Sequence, residues 1–91
     1  MRTKEEINKE RERLRGISNL SDFERGEHDV FLIISDDIHT QKIKCTQKAV
    51  EGERENLEFA ESKNSKEYYI GYINTLEWIL GKRDKIKVEF T

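Results

Sequence analysis

Apolar positions are sparse in this chain, and they fall into blocks with a helical period. The first block is thin. Ile7 and Leu14 lie seven apart on one face, with Ile17 and Leu20 beyond Gly16. Thr3-Lys4-Glu5-Glu6 opens it as a capping box, in which the Thr3 hydroxyl accepts from the amide of residue 6 and Glu6 reaches back. The pattern predicts a helix ending near Arg15, with a stripe so narrow that it lies on the surface of something else or frays. Residues 1–20 are therefore expected to be a mobile N-terminal helix.

Ser21-Asp22-Phe23-Glu24 repeats the capping pattern and starts a second, longer helix. Phe23, Val30, Ile34, Ile38, Cys45 and Ala49 follow at steps of 7, 4, 4, 7 and 4, which keeps them on one face. Phe31, Leu32 and Ile33 occupy other faces, so residues 30–34 should be buried on more than one side. A β-hairpin over 30–46 competes with this helix. Val30–Ile34 is β-branched and aromatic, Ile43–Thr46 alternates, and Ser35-Asp36-Asp37 is a turn signal between them. The helix is preferred, because the stripe extends past both ends of the apolar run and no Gly or Pro punctuates 27–51.

From Glu51 to Glu61 the chain carries five Glu and one Arg around Leu57, Phe59 and Ala60, and it reads as helical. Ser62-Lys63-Asn64 is a turn signal. The clearest element follows it, a helix over about 65–81 capped by Asn64 or Ser65, with Gly81 placed for a left-handed C-cap and Lys82 and Arg83 just beyond. One of its faces carries Tyr69, Ile73, Leu76 and Leu80. Another carries Tyr68, Gly71, Thr75 and Trp78, with Tyr72 and Ile79 bridging the two. A single face suffices to pack on a neighbouring helix, so two faces predict a second partner, whose backbone Gly71 would admit closely. Lys85–Phe90 alternates strictly and reads as a short edge strand or an extended arm.

The expected architecture is thus all-α: one domain over 1–91, an antiparallel helical hairpin with an additional N-terminal helix, and an extended tail over 85–91. The alternative is a small α+β domain in which the 30–46 hairpin joins the tail strand. With 91 residues, such a chain buries only about 60–65% of the surface its unfolded form exposes. Chains with marginal cores are commonly completed by self-association. A homo-oligomer built on Tyr68, Gly71, Tyr72, Thr75, Trp78 and Ile79 is therefore expected, with these residues meeting a partner or a second subunit.

Charge narrows the function classes. Charged residues make up 40% of the chain, yet the net charge is −2 and acids interleave with the basic residues, so the basic footprint of a nucleic-acid binder is missing. Nothing resembles a membrane span or a secretory h-region, and the lone Cys45 fits a reducing compartment; a cytoplasmic location is expected. Proline is absent, which favours long helices.

Candidate chemistry is thin. Asp36 and His39 stand at i, i+3, a spacing used in helical di-metal bundles, but the further carboxylates such a site needs have no evident source, and a polar helix surface is the plainer explanation. His28 and His39 share a helix face about 16 Å apart and cannot hold one ion. Cys45 lies near Lys42 and Lys44, which would favour a thiolate, yet it reads first as a small buried hydrophobe. The basic residues of 2–15 and 42–48 read as solvated helix faces laced with i, i+4 pairs. No catalytic residue, metal or cofactor is expected, and the aromatic set of 68–78 is the most informative feature: first a core, then an interface.

Segment 67–81, EYYIGYINTLEWILG, resembles the terminal helix of small, charge-rich proteins from phages and prophages of Gram-positive bacteria, and Phe23–Asp29 has a similar character. The resemblance covers about a third of the chain. It implies a protein that binds and modulates or inhibits a bacterial host or defence protein, or one that sequesters a small signal molecule. For the first of these, residues 51–61 and the Tyr68/Tyr72/Trp78 face are expected to be where the partner docks or the subunits meet. Two alternatives stand beside it: a nucleic-acid-associated regulator using the N-terminal helix, and an oligomer that binds a small nucleotide signal between subunits.

Overall fold

The computed structural model describes residues 2–33 and 47–87, and among them the ordered elements are helices: α1 (Lys4–Arg15), α2 (Asp22–Ile33), α3 (Gln47–Glu58) and α4 (Lys63–Ile79). The architecture is all-α, with α4 packed against α2 and α3 and α1 laid across α2.

Local sequence sets the helix ends. The capping box of α1 forms as expected: Thr3 Oγ1 accepts from the Glu6 amide at 3.2 Å and Glu6 Oε1 accepts from the Thr3 amide at 3.3 Å. The same reciprocal pair opens α2, between Ser21 and Glu24, at 3.2 and 3.1 Å. The cap of α4 is Ser62, whose hydroxyl accepts from the Ser65 amide at 3.0 Å, so the helix starts ahead of the expected Asn64 or Ser65. Its far end is a Schellman turn. Gly81 has φ 82°, its amide donates to the Trp78 carbonyl at 3.0 Å, and the Lys82 amide donates to the Glu77 carbonyl at 2.9 Å.

The 30–46 hairpin is corrected by α2: residues 30–33 are helical, because Phe23, Glu27, Val30 and Phe31 put a helical stripe against α4 and α1. Val30 and Phe31 are buried, but Leu32 points outward and is 69% exposed, so this turn is not covered on every side. The middle of the expected long helix, with Ile34, Ile38 and Cys45, lies outside the described residues.

The core joins all four helices. Ile7 and Leu14 of α1, Val30 and Phe31 of α2, Val50 of α3, and Ile73, Leu76, Trp78 and Ile79 of α4 are buried in one cluster, which Ile86 completes. Two glycines set the contact between α2 and α4. A Cβ on Gly71 would overlap the Phe23 carbonyl, and one on Gly26 would overlap the Tyr68 carbonyl. Each glycine thus lets α2 and α4 touch through their backbones.

The N-terminal helix is docked rather than frayed. The Arg2 amide donates to the Ile79 carbonyl at 2.7 Å, its Nε to the Trp78 carbonyl at 3.0 Å and its Nη2 to the Arg83 carbonyl at 2.7 Å. Arg13 reaches Glu27 of α2 at 2.8 Å. The tail also departs from expectation. Residues 85–87 bend across the end of the core instead of forming a strand, and the Ile86 carbonyl accepts from Asn74 Nδ2 at 3.0 Å. Asn74 is buried, so this bond satisfies an amide that water cannot reach. Residues 88–90 of the expected strand lie outside the described residues.

Candidate functional site

The second partner of α4 turns out to be α2 of the same chain. Four of the six residues expected to meet another molecule are sealed inside: Gly71 against the Phe23 backbone, and Thr75, Trp78 and Ile79 at 0, 7 and 0% exposure. Within one chain these four therefore belong to the core, the first of the two roles expected for the aromatic helix. The physical cause is the glycine pair at 26 and 71, which brings α2 close enough to cover that face. Thr75 Oγ1 donates back to the Gly71 carbonyl at 2.7 Å, and the Arg2 guanidinium lies 5.1 Å from the centre of the Trp78 ring. Tyr68 and Tyr72 remain half-buried, so the predicted set divides between the core and the surface at its N-terminal end.

Asp36, His39, Lys42, Lys44 and Cys45 lie outside the described residues. His28 is exposed, with Nδ1 3.7 Å from Asp29 Oδ1. Among the described residues no group of three His, Cys, Asp or Glu side chains is placed to hold a metal ion. Among the same residues no helix is long and apolar enough to cross a membrane.

Among the described residues the most exposed large apolar side chain lies where α3 turns into α4. Phe59, just past the end of α3, is 82% exposed. It borders an open hollow of about 480 Å³ together with Asn56, Ala60, Glu61, Ser65 and Tyr69. A second hollow, of about 370 Å³, is lined by Asp22, Arg25, Asp29, Asn64 and Tyr68 and shares Ser65 and Tyr69 with the first. The two flank the opening turns of α4. Tyr68 and Tyr69 meet edge to face with ring centres 5.4 Å apart, and Tyr68 and Tyr72 follow at 6.2 Å. The Tyr68 hydroxyl donates to Asp29, tying α4 to α2, and burial together with that bond pushes the phenol above its ordinary pKa.

Local sequence explains this end. Phe59 follows the last residue of α3, Ser62 caps α4, and only Phe59–Ser62 separate the two helices. In so short a connection the Phe59 side chain falls off the stripe of buried Val50 and partly buried Leu57. Glu55 and Glu58 are exposed just before it, and Glu61 just after. The acid-rich run of 51–61 thus ends in an aromatic tip, with Glu61 on the same hollow. The sequence marked the acids and Tyr68. It gave no sign that Phe59 would stand out, since it is one apolar residue among three in that run.

One polar group is buried deep instead of being displayed. Glu27 is fully covered; Oε2 accepts from Arg13, and Oε1 has no hydrogen-bond partner. Burial pushes its pKa up to about 7, against the pull of Arg13 and Lys87. A neighbouring hollow of about 360 Å³ lies between α1 and the tail, bordered by Glu10, Arg13, Trp78 and Lys87.

The fold and surface define a small all-α domain with a sealed core and an aromatic, acid-rimmed tip. Comparison with protein-family models, with curated proteins and with solved structures finds no match.

Proposed function

We propose that this chain is a binding protein that docks another protein on the α3–α4 end, and that the partner is a bacterial host or defence protein whose activity it modulates or inhibits. The observation that carries the docking site is Phe59, 82% exposed beside Tyr69 and continuous through two hollows with Tyr68. Single exposed apolar residues are ordinary on protein surfaces, but a contiguous aromatic patch is the feature that marks interaction sites. Tyr68 and Tyr69 are held by each other and by Asp29, so little side-chain freedom is lost when a partner covers them. The choice of a bacterial target rests on the resemblance of residues 67–81 to phage proteins.

The test is capture from a bacterial lysate with the immobilised chain and with Phe59→Asp side by side. A protein retained in stoichiometric amount by the wild type and lost with Phe59→Asp, at unchanged helicity and melting temperature, is the expected result. Recovery of no such protein, or equal recovery by both, overturns the proposal.

A further inference from the structure

Resting on the docking site just proposed, the geometry points to a cationic partner segment: a stretch of protein whose lysine or arginine side chains lie across the Phe59, Tyr68 and Tyr69 rings and pair with the carboxylates beside them. The two hollows that meet at Ser65 and Tyr69 are bordered by three carboxylates, Asp22, Asp29 and Glu61, and by one guanidinium, Arg25. Asp29 accepts the Tyr68 hydroxyl, which leaves Asp22 and Glu61 free to take a donor. Glu55 and Glu58 stand exposed within one turn of Phe59; they border neither hollow but add negative charge to this end of the molecule. Lys66 is exposed nearby but borders neither hollow.

Aromatic faces attract cations through their quadrupole, and a carboxylate at the ring edge supplies the charge and the acceptor. An anionic partner, nucleic acid included, would meet more carboxylates than bases among the described residues that border the hollows. A second copy is disfavoured by symmetry. A two-fold contact through this face sets the same patch against itself, and that patch carries three bordering carboxylates to one guanidinium. A basic protein segment answers both the rings and the rim, and the charge match also speeds encounter at low salt.

Two helical peptides of equal length and apolar content, one with lysine and arginine at its polar positions and one with glutamate, are titrated into the ¹⁵N-labelled full chain. The basic peptide is expected to move the amide signals of residues 56–69. Its Kd should weaken about tenfold between 50 and 300 mM salt, and about tenfold again in Glu61→Lys and in Glu55→Lys, where only exposed side chains change. Equal binding of the acidic peptide overturns the inference, as does absence of shifts with the basic one. So does unchanged affinity in both charge reversals, or movement of the same signals on concentrating the chain alone, which would make a second copy the occupant. The lysate experiment separates this inference from the docking site it rests on. A captured protein lost with Phe59→Asp but held equally by Glu61→Lys at high salt removes the cationic partner and leaves the docking surface. A captured protein indifferent to Phe59→Asp removes the docking surface itself.

Discussion

Glu27 shows at the residue scale how one side chain couples the fold to pH. It lies on the buried stripe of α2, four residues after Phe23 and four before Phe31, so its position inside follows from helical period alone. A fully buried carboxylate with one oxygen unpartnered is costly, and the folded chain responds by holding a proton there up to about pH 7, while the unfolded chain releases it near 4.5. Between those values the native state binds more protons than the unfolded state, so stability falls as pH rises. The contribution is fully present below about pH 4.5 and is lost as pH climbs through 7, with a size on the order of 3 kcal/mol. Glu24 slopes the other way. Burial raises it, but the Ser21 cap, Lys87 and Arg13 outweigh that and hold it below its ordinary value, so its share is lost only on acidification. Glu10 and Arg13 of α1 and Lys87 of the tail complete the charged groups acting on Glu27. Glu27→Gln keeps an acceptor for Arg13 and removes the titration. Thermal melts at pH 5 and pH 8 should show the wild type less stable at pH 8 and the variant nearly level. A wild type whose melting point rises steadily from pH 5 to 8 would refute the assignment.

Glycine placement decides how the elements pack, and two glycines in helices predict opposite outcomes for the same substitution. Alanine is the better helix former by about 1 kcal/mol. At Gly52 of α3 an added Cβ meets nothing within 4 Å, so Gly52→Ala should stabilise by about 0.5–1 kcal/mol. At Gly71 the Cβ would strike the Phe23 carbonyl, a backbone atom that cannot rotate away, and α2 must move off α4. Gly71→Ala should therefore destabilise by about 3 kcal/mol or more, overpacking outweighing propensity. Urea titrations of the two variants check the pair, and equal midpoints would refute the crossing. The need for close approach at Gly71 was legible in the sequence, as were the ends of α1, the start of α2 and the glycine turn after α4. The start of α4 was less so, because Ser62, Asn64 and Ser65 can all cap a helix and local chemistry does not rank them. The exposure of Leu32 and Phe59 was not legible at all. Apolar identity gives the tendency to be buried, whereas the angle at which a short connection releases a side chain depends on the packed helices around it.

Across the whole molecule, the question is what covers α4. Its two apolar faces do exceed what one neighbour can bury, as the pattern of residues 68–80 indicates, but a single chain supplies several neighbours. Val30 and Phe31 come from α2, Val50 from α3, Ile7 and Leu14 from α1, and Ile86 folds back from the tail. Arg2 closes the last gap by lying over Trp78 and donating to the carbonyls at the end of α4, where the helix dipole favours a cation. This arrangement was hidden from sequence because it joins residues 76 apart through one arginine among many. It yields a test of whether the burial belongs to one subunit. Trp78, at 7% exposure within a single chain, should emit at short wavelength, and its spectrum should not move on dilution from about 10 μM to about 10 nM. Arg2→Ala should shift the emission to the red at every concentration, since the guanidinium that shields the ring is gone while the rest of the core stays. A red shift of the wild type on dilution would mean that a second subunit supplies the cover. In that case the Trp78 face would be an interface between copies, and α1, the tail and Arg2 would be only part of its cover.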